Sequence, residues 1–216
     1  MAASEKARLA LYDFDGTMLP GDSIALYTWF ALKRGDMPLR LFFHACLGAL
    51  GYGLGRVSAE ESKNRALSFQ IGWNEKRKQE FNEAFVQKAL LKKIYPKALA
   101  QLNRDREEGF LPLLVSASTE NYMALAGKTL GFYDVIATRL VDGRVSGNCR
   151  GEEKVRRIYE WLSQRQIEAD FSLSRAYGDS RGDLPMLRLC GFPTQVNPKE
   201  KLRKAAGNMA VADWKK

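Results

Sequence analysis

Three short apolar runs, each halted by small and acidic residues, set the rhythm of the chain. The first, Leu9-Ala10-Leu11-Tyr12, follows Arg8 and stops at Asp13-Phe14-Asp15-Gly16-Thr17; a run of this length closed by a turn signal predicts a buried strand. The second covers residues 110–115 and ends at Ser116-Ala117-Ser118, with Pro112 near its start, where a missing N–H is tolerated. The third, residues 174–177, ends at Gly178-Asp179-Ser180-Arg181-Gly182-Asp183. Each predicted strand therefore delivers polar side chains at its carboxyl end.

Helical spacing fills the intervals. Tyr95-Pro96 opens a helix through Leu99 and Leu102 that Gly109 stops, and residues 152–164 place Val155, Ile158 and Leu162 on one face. Asp183-Leu184-Pro185 reads as a cap and first turn. Strands alternating with helices predict a doubly wound parallel sheet, with ligands beyond the carboxyl ends of its strands. Residues 19–94 break the alternation with helical spacing alone, so they read as an inserted helical cap, leaving 1–18 and 95–216 as the core domain. Asp142-Gly143 between apolar residues predicts a two-residue hairpin turn.

A chain of 216 residues with 45% hydrophobic and 27% charged residues can bury a core and form one domain with an insertion. Three scattered cysteines, Cys46, Cys149 and Cys190, fit neither a disulfide framework nor a zinc site, and no apolar signal core follows Met1 to Arg8. A cytoplasmic protein is expected. The net charge of +9 favours anionic partners, but 12 Lys/Arg against 7 Asp/Glu give +5 over residues 19–94 and leave +4 elsewhere. That even spread weighs against a nucleic-acid groove. With His44 the only histidine, the chemistry must come from other residues.

Carboxylates are the obvious source. Asp13 and Asp15 stand two residues apart at a predicted strand end, and Asp179 and Asp183 close another at the same sheet edge. One such pair is as well explained by a solvated turn or a helix cap. Four carboxylates in one volume need a cation, and an all-oxygen set selects a hard ion such as Mg²⁺.

Together with Ser116-Ala117-Ser118 and Lys154, these motifs stand in the order and approximate spacing of the four motifs of haloacid dehalogenase (HAD) superfamily phosphohydrolases, which the chain resembles. Residues 95–202 are similar to subfamily IB, which includes phosphoserine phosphatases, notably at Gly151-Glu152-Glu153-Lys154-Val155 and Asp183-Leu184-Pro185-Met186-Leu187. The resemblance implies a Rossmann-like core with an inserted cap, and a Mg²⁺-dependent phosphatase that forms an aspartyl-phosphate. It implies Asp13 as nucleophile, Asp15 as general acid and base, and Lys154 as the cation that offsets the nucleophile and the phosphoryl group. Mg²⁺ would be held by the Asp13 carboxylate, the Asp15 backbone carbonyl and Asp179, with Asp183 orienting. Ser116 and the backbone around Ala117 would hold phosphate oxygens. Taken alone, Lys154 reads as an ordinary solvated helix residue, and only the motifs around it promote it.

The resemblance offers Asp22 as a reader of the substrate and Arg56 or Arg65 as a cap arginine, while Asp22 with Ser23 also reads as a helix cap. The implied substrate is a small phosphomonoester such as phosphoserine. Residues 41–55 lack a formal charge and lie between Arg40 and Arg56. This run reads either as a buried cap helix or as an interfacial segment on an anionic membrane, as a phospholipid head-group phosphatase would need. That second reading places the protein at the inner face of the membrane. A rival of another class is a basic, non-catalytic binding module. Gly51-Tyr52-Gly53-Leu54-Gly55 lacks the strand and Lys-Ser/Thr ending of a nucleotide loop. His44 and the four tryptophans read as packing residues, and residues 199–204 as the exposed face of a late helix.

Overall fold

The computed structural model describes residues 6–215; the reading of the first five residues lies outside them. The chain opens with β1 (Leu9–Tyr12), buried throughout. Four helices follow: α1 (Ser23–Arg34), α2 (Leu39–Gly53), α3 (Ala59–Leu67) and α4 (Glu75–Phe85). Three of them start where the sequence offers a capping side chain: Asp22, Ser58 and Asn74 each accept from backbone N–H groups of the first turn. Helix α5 (Pro96–Glu107) then leads to β2 (Leu111–Thr119), α6 (Glu120–Leu130), β3 (Asp134–Val141), β4 (Arg144–Ser146) and α7 (Glu152–Arg165). The chain ends through β5 (Arg175–Gly178), α8 (Leu184–Leu189), β6 (Phe192–Val196), α9 (Glu200–Ala205) and β7 (Ala210–Ala212).

The strands form one sheet in the order β4-β3-β2-β1-β5-β6-β7, parallel except for the antiparallel β3–β4 hairpin at one edge. Asp142 and Gly143 in that hairpin both take positive φ, 52° and 74°, as its two-residue turn requires. Alternate residues of β1 and β2 feed two cores. Ala10, Tyr12 and Leu114 meet α5, α6 and the inserted helices, whereas Leu9, Leu11, Leu113 and Val115 meet α7, α8 and α9. Burial on both faces explains why the strands read as continuous apolar runs. The result is the doubly wound α/β fold expected from the alternation.

Register places the functional edge. Tyr12 is level with Leu114 on one side and Tyr177 on the other, so the residues just beyond them emerge side by side. Strand β1 lies where successive strands leave in opposite directions, the switch point at which such sheets bind ligands. Between β1 and α5 the chain forms helices α1 to α4 and their connections, and the Tyr95 N–H donates to the Met18 carbonyl at 2.9 Å where the chain returns.

Several expectations need correction. Strand β2 does not stop before Ser116 but runs on to Thr119. Helix α2 is not a buried cap helix: only Ala45 and Gly48 are buried, because α3 packs on one side of it, with the Arg65 and Ser62 positions close against Gly48. His44 is exposed on the same helix instead of packed. Trp161 and Trp214 are packing residues, but Trp29 is 45% exposed.

Candidate active site

Asp13 leaves the end of β1 with its N–H donated to the Tyr177 carbonyl at 2.9 Å. Thr17 Oγ1 donates to Asp13 Oδ2 at 3.0 Å across the turn. Gly16 makes that turn at φ +86°, and a Cβ there would lie 2.1 Å from Asp179 Oδ2. Both backbone and space therefore demand glycine. Asp179 follows β5 and Asp183 closes the next turn, where Ser180 donates to Asp183 Oδ2 from its N–H at 3.0 Å and its Oγ at 2.7 Å.

Lys154 lies in the first turn of α7 and is 1% exposed. Its Nζ donates to Asp13 Oδ1 at 2.6 Å, Asp183 Oδ1 at 2.7 Å and the Val115 carbonyl at 2.8 Å. All three protons are satisfied, and burial of the ammonium is outweighed by the two carboxylates, which hold its pKa above the ordinary lysine value. For Asp183, burial is likewise outweighed, by Lys154 and Ser180, so its carboxyl stays below the usual range. Asp13 is pulled both ways: burial and the charge of Asp183 raise its carboxyl, while the hydrogen-bonded Lys154 ammonium draws it back toward the carboxylate form.

Asp13, Asp179 and Asp183 each bring a carboxylate oxygen within 4.8 Å of the others, and all three residues are buried. One lysine between Asp13 and Asp183, and Lys199 at 2.5 Å from Asp179, offset only part of this charge. Such a set of hard, buried oxygen donors suits a divalent cation of the Mg²⁺ type. The Asp15 carboxylate does not join it. Asp15 Oδ1 accepts from the Ser23 N–H at 2.7 Å and Oδ2 accepts from Ser118 Oγ. Burial, then Asp22, raises the Asp15 carboxyl to about 6 despite those donors.

These groups floor a cavity of about 630 Å³ between core and cap. Asp13, Asp15, Asp22, Ala117, Lys154, Asp179 and Asp183 line it, so most of the residues singled out from the sequence converge. Asp22 caps α1 and also lines the cavity. Ser116 and Arg56 do not line the cavity. Ser116 is fully buried on β2, where its Oγ accepts from the Ser118 N–H at 3.0 Å, and Arg56 is exposed in the loop after α2. Lys199, expected on an exposed helix face, is exposed at the residue before α9 and also pairs with Asp179.

Other cavity residues carried no sequence signal. Lys63 of α3 donates to the Ala117 carbonyl and Asn148 Oδ1, tying cap to core, and burial lowers its pKa to about 8. Arg150 donates to the Tyr52 hydroxyl and supplies a basic group to the wall in place of Arg56. Ile24, Trp29, Phe42, Ala45, Ala49 and Ala66 make the cap side apolar. A wider recess of about 1140 Å³ against the cap, lined by His44 and Arg65 among others, contains none of the clustered aspartates.

With this geometry in view, similarity to known proteins becomes informative. A histidinol-phosphatase of Neisseria meningitidis serogroup C is 25% identical over 214 residues, covering 92% of this chain and 94% of that protein. Protein CicA of Caulobacter vibrioides is 31% identical over 191 residues, covering 84% and 82%. A crystal structure of a protein with unknown function from Bordetella pertussis superposes with a TM-score of 0.87 at 25% identity, covering 97% of this chain and 99% of that one. A phosphoserine phosphatase captured as a phospho-aspartyl intermediate analogue shares the fold, with a TM-score of 0.63 at 18% identity over 96% and 94% of the two chains. The family model for haloacid dehalogenase-like hydrolases matches residues 10–188, a span that contains Asp13, Asp15, Lys154, Asp179 and Asp183, and the chain belongs to that family.

Proposed function

We propose that this protein is a phosphatase that hydrolyses a small organic phosphomonoester in two displacements, with Asp13 as the nucleophile. An Asp13 carboxylate oxygen attacks phosphorus, the bond from phosphorus to the ester oxygen breaks, and the phosphoryl group passes to Asp13. Asp15 gives its proton to the departing alkoxide. In the second displacement Asp15 takes a proton from water, whose oxygen attacks the phosphorus and releases Asp13 and inorganic phosphate.

The observation that carries this reading is the contrast between two aspartates two residues apart. Asp13 is held by Thr17 and Lys154, with the aim of its oxygens fixed. Asp15 is buried beside Ser118 with its carboxyl raised to about 6, so near neutrality it can both give and take a proton. Asp13 and Asp179, with Asp183 beside them, would hold Mg²⁺, which supplies positive charge for the phosphoryl oxygens. Lys154 contributes fixed positive charge from the protein itself.

The cap wall favours a leaving group with apolar surface, because Trp29, Phe42 and the cap alanines face the floor across the cavity. Histidinol phosphate and phosphoserine, the esters named for two relatives, belong in a substrate panel with longer alkyl and aryl phosphates. The panel is assayed for phosphate release with Mg²⁺ and with EDTA, using Asp13→Asn as control. Turnover that needs the divalent ion and Asp13 is expected. No turnover of any member would sink the reading and leave a binding module.

A further inference from the structure

Helix α2 has two apolar sides, and the cavity uses one of them. Phe42, Ala45, Cys46, Ala49 and Tyr52 line the cavity. Leu39, Phe43, Leu47 and Leu50, with Leu54 at the helix end, do not; each is between 58% and 61% exposed. At about 100° per residue these five side chains fall within an arc of about 80°, forming one continuous outward stripe. An exposed patch on the order of several hundred Å² is the size that marks an interaction surface.

The charges around the stripe indicate what covers it. No acidic residue occurs between Asp36 and Glu60, while Arg40 and Arg56 stand exposed near its two ends. Lys33 and Arg34 at the end of α1 are exposed as well. A two-fold pairing with a second copy that set the helices antiparallel would bring arginines of one chain toward arginines of the other. An anionic lipid surface is complementary to both the stripe and its basic ends. At 15 residues α2 is about 22 Å long, short of the roughly 30 Å bilayer core. Among the described residues no helix is long and apolar enough to cross a membrane, so α2 would lie on the surface.

We propose that the outer face of α2 docks this protein on an anionic phospholipid bilayer, with the leucine and phenylalanine stripe at the acyl boundary and Arg40 and Arg56 among the headgroup phosphates. The docking goes beyond the hydrolytic reading and does not require it. It would bring the cavity's apolar wall to the bilayer, since Phe42 and Tyr52 belong to the same helix.

Sedimentation of the full chain with phosphatidylglycerol/phosphatidylcholine vesicles, and with phosphatidylcholine vesicles alone, tests it. The wild type is expected to pellet with the anionic vesicles and far less with the neutral ones. Leu47→Glu/Leu50→Glu and, separately, Arg40→Glu/Arg56→Glu are expected to reduce the bound fraction at least about tenfold. Leu47 and Leu50 lie outside the cavity, so the first variant keeps wild-type aryl phosphate turnover, which separates docking from chemistry. Wild type remaining in the supernatant with anionic vesicles would overturn the proposal. So would variants that bind like wild type, or a dimer, seen by light scattering, that the leucine variant dissociates while no form binds vesicles.

Discussion

Replacing Lys154 with methionine keeps most of its volume and removes the ammonium between Asp13 and Asp183. In the wild type this nitrogen satisfies both carboxylates and the Val115 carbonyl from a position 1% exposed. Its loss strands two buried carboxylates without their shared partner, a change that costs about 3–5 kcal/mol. The pH dependence has a definite sign. Lys154 is a main reason Asp183 titrates below the usual carboxylate range despite burial. The wild type therefore has this stabilisation above the ordinary Asp value and loses it as pH falls through the depressed one. In the variant, burial is unopposed by the lysine, so both carboxyls bind protons more readily folded than unfolded, and acidification relieves the strain. The stability gap between the two proteins should be wide at about pH 7.5 and narrow toward about pH 5. Urea unfolding followed by circular dichroism, in EDTA, measures it. Adding Asp183→Asn to the variant should recover about 1–3 kcal/mol, because the two sites share one network. A cost below about 1 kcal/mol, or a gap that widens on acidification, would refute the reasoning.

Three further outcomes follow from the same geometry. Asp13→Asn should lower turnover by at least about a thousandfold while leaving the far-ultraviolet spectrum unchanged; near-normal turnover assigns the nucleophile elsewhere. With its carboxyl near 6, Asp15 progressively loses the proton it must donate as pH rises through that value, so kcat/KM for an alkyl phosphate should fall above about 6. An aryl phosphate whose leaving group needs no proton should show no such limb, and Asp15→Asn should cost the alkyl ester about 10²–10⁴-fold. Gly16→Ala should displace Asp179, because the new Cβ would lie 2.1 Å from its Oδ2 at a φ of +86°. The Mg²⁺-induced rise in melting temperature should then disappear, and an undiminished rise would show that Asp179 is not needed for the ion.

The core was legible because its strands are buried on both faces and end abruptly at acidic turns, and such ends need no tertiary information to recognise. Strand β6 was not legible, since Phe192-Pro193-Thr194-Gln195-Val196 has a proline and two polar residues in five. The short β7 gives too little pattern to read. Asp13, Asp15, Asp179 and Asp183 announced themselves by pairing close in sequence. Lys63 and Arg150 did not, because their role depends on how α3 and the loop before α7 meet over the cavity, and nothing in their local sequence encodes that meeting. For Leu47 and Leu50 core and interface both stayed open, because apolarity alone does not say which side of a helix has a neighbour.

The hydrogen bond between Tyr95 and Met18 draws the two ends of the helical insertion to a single anchoring point near the clustered carboxylates. A segment hinged at adjacent ends can be exchanged, lengthened or shortened without re-registering the sheet beneath it. The insertion is thus free to diverge, while the aspartates beneath it stay under the constraint of their own crowded charges.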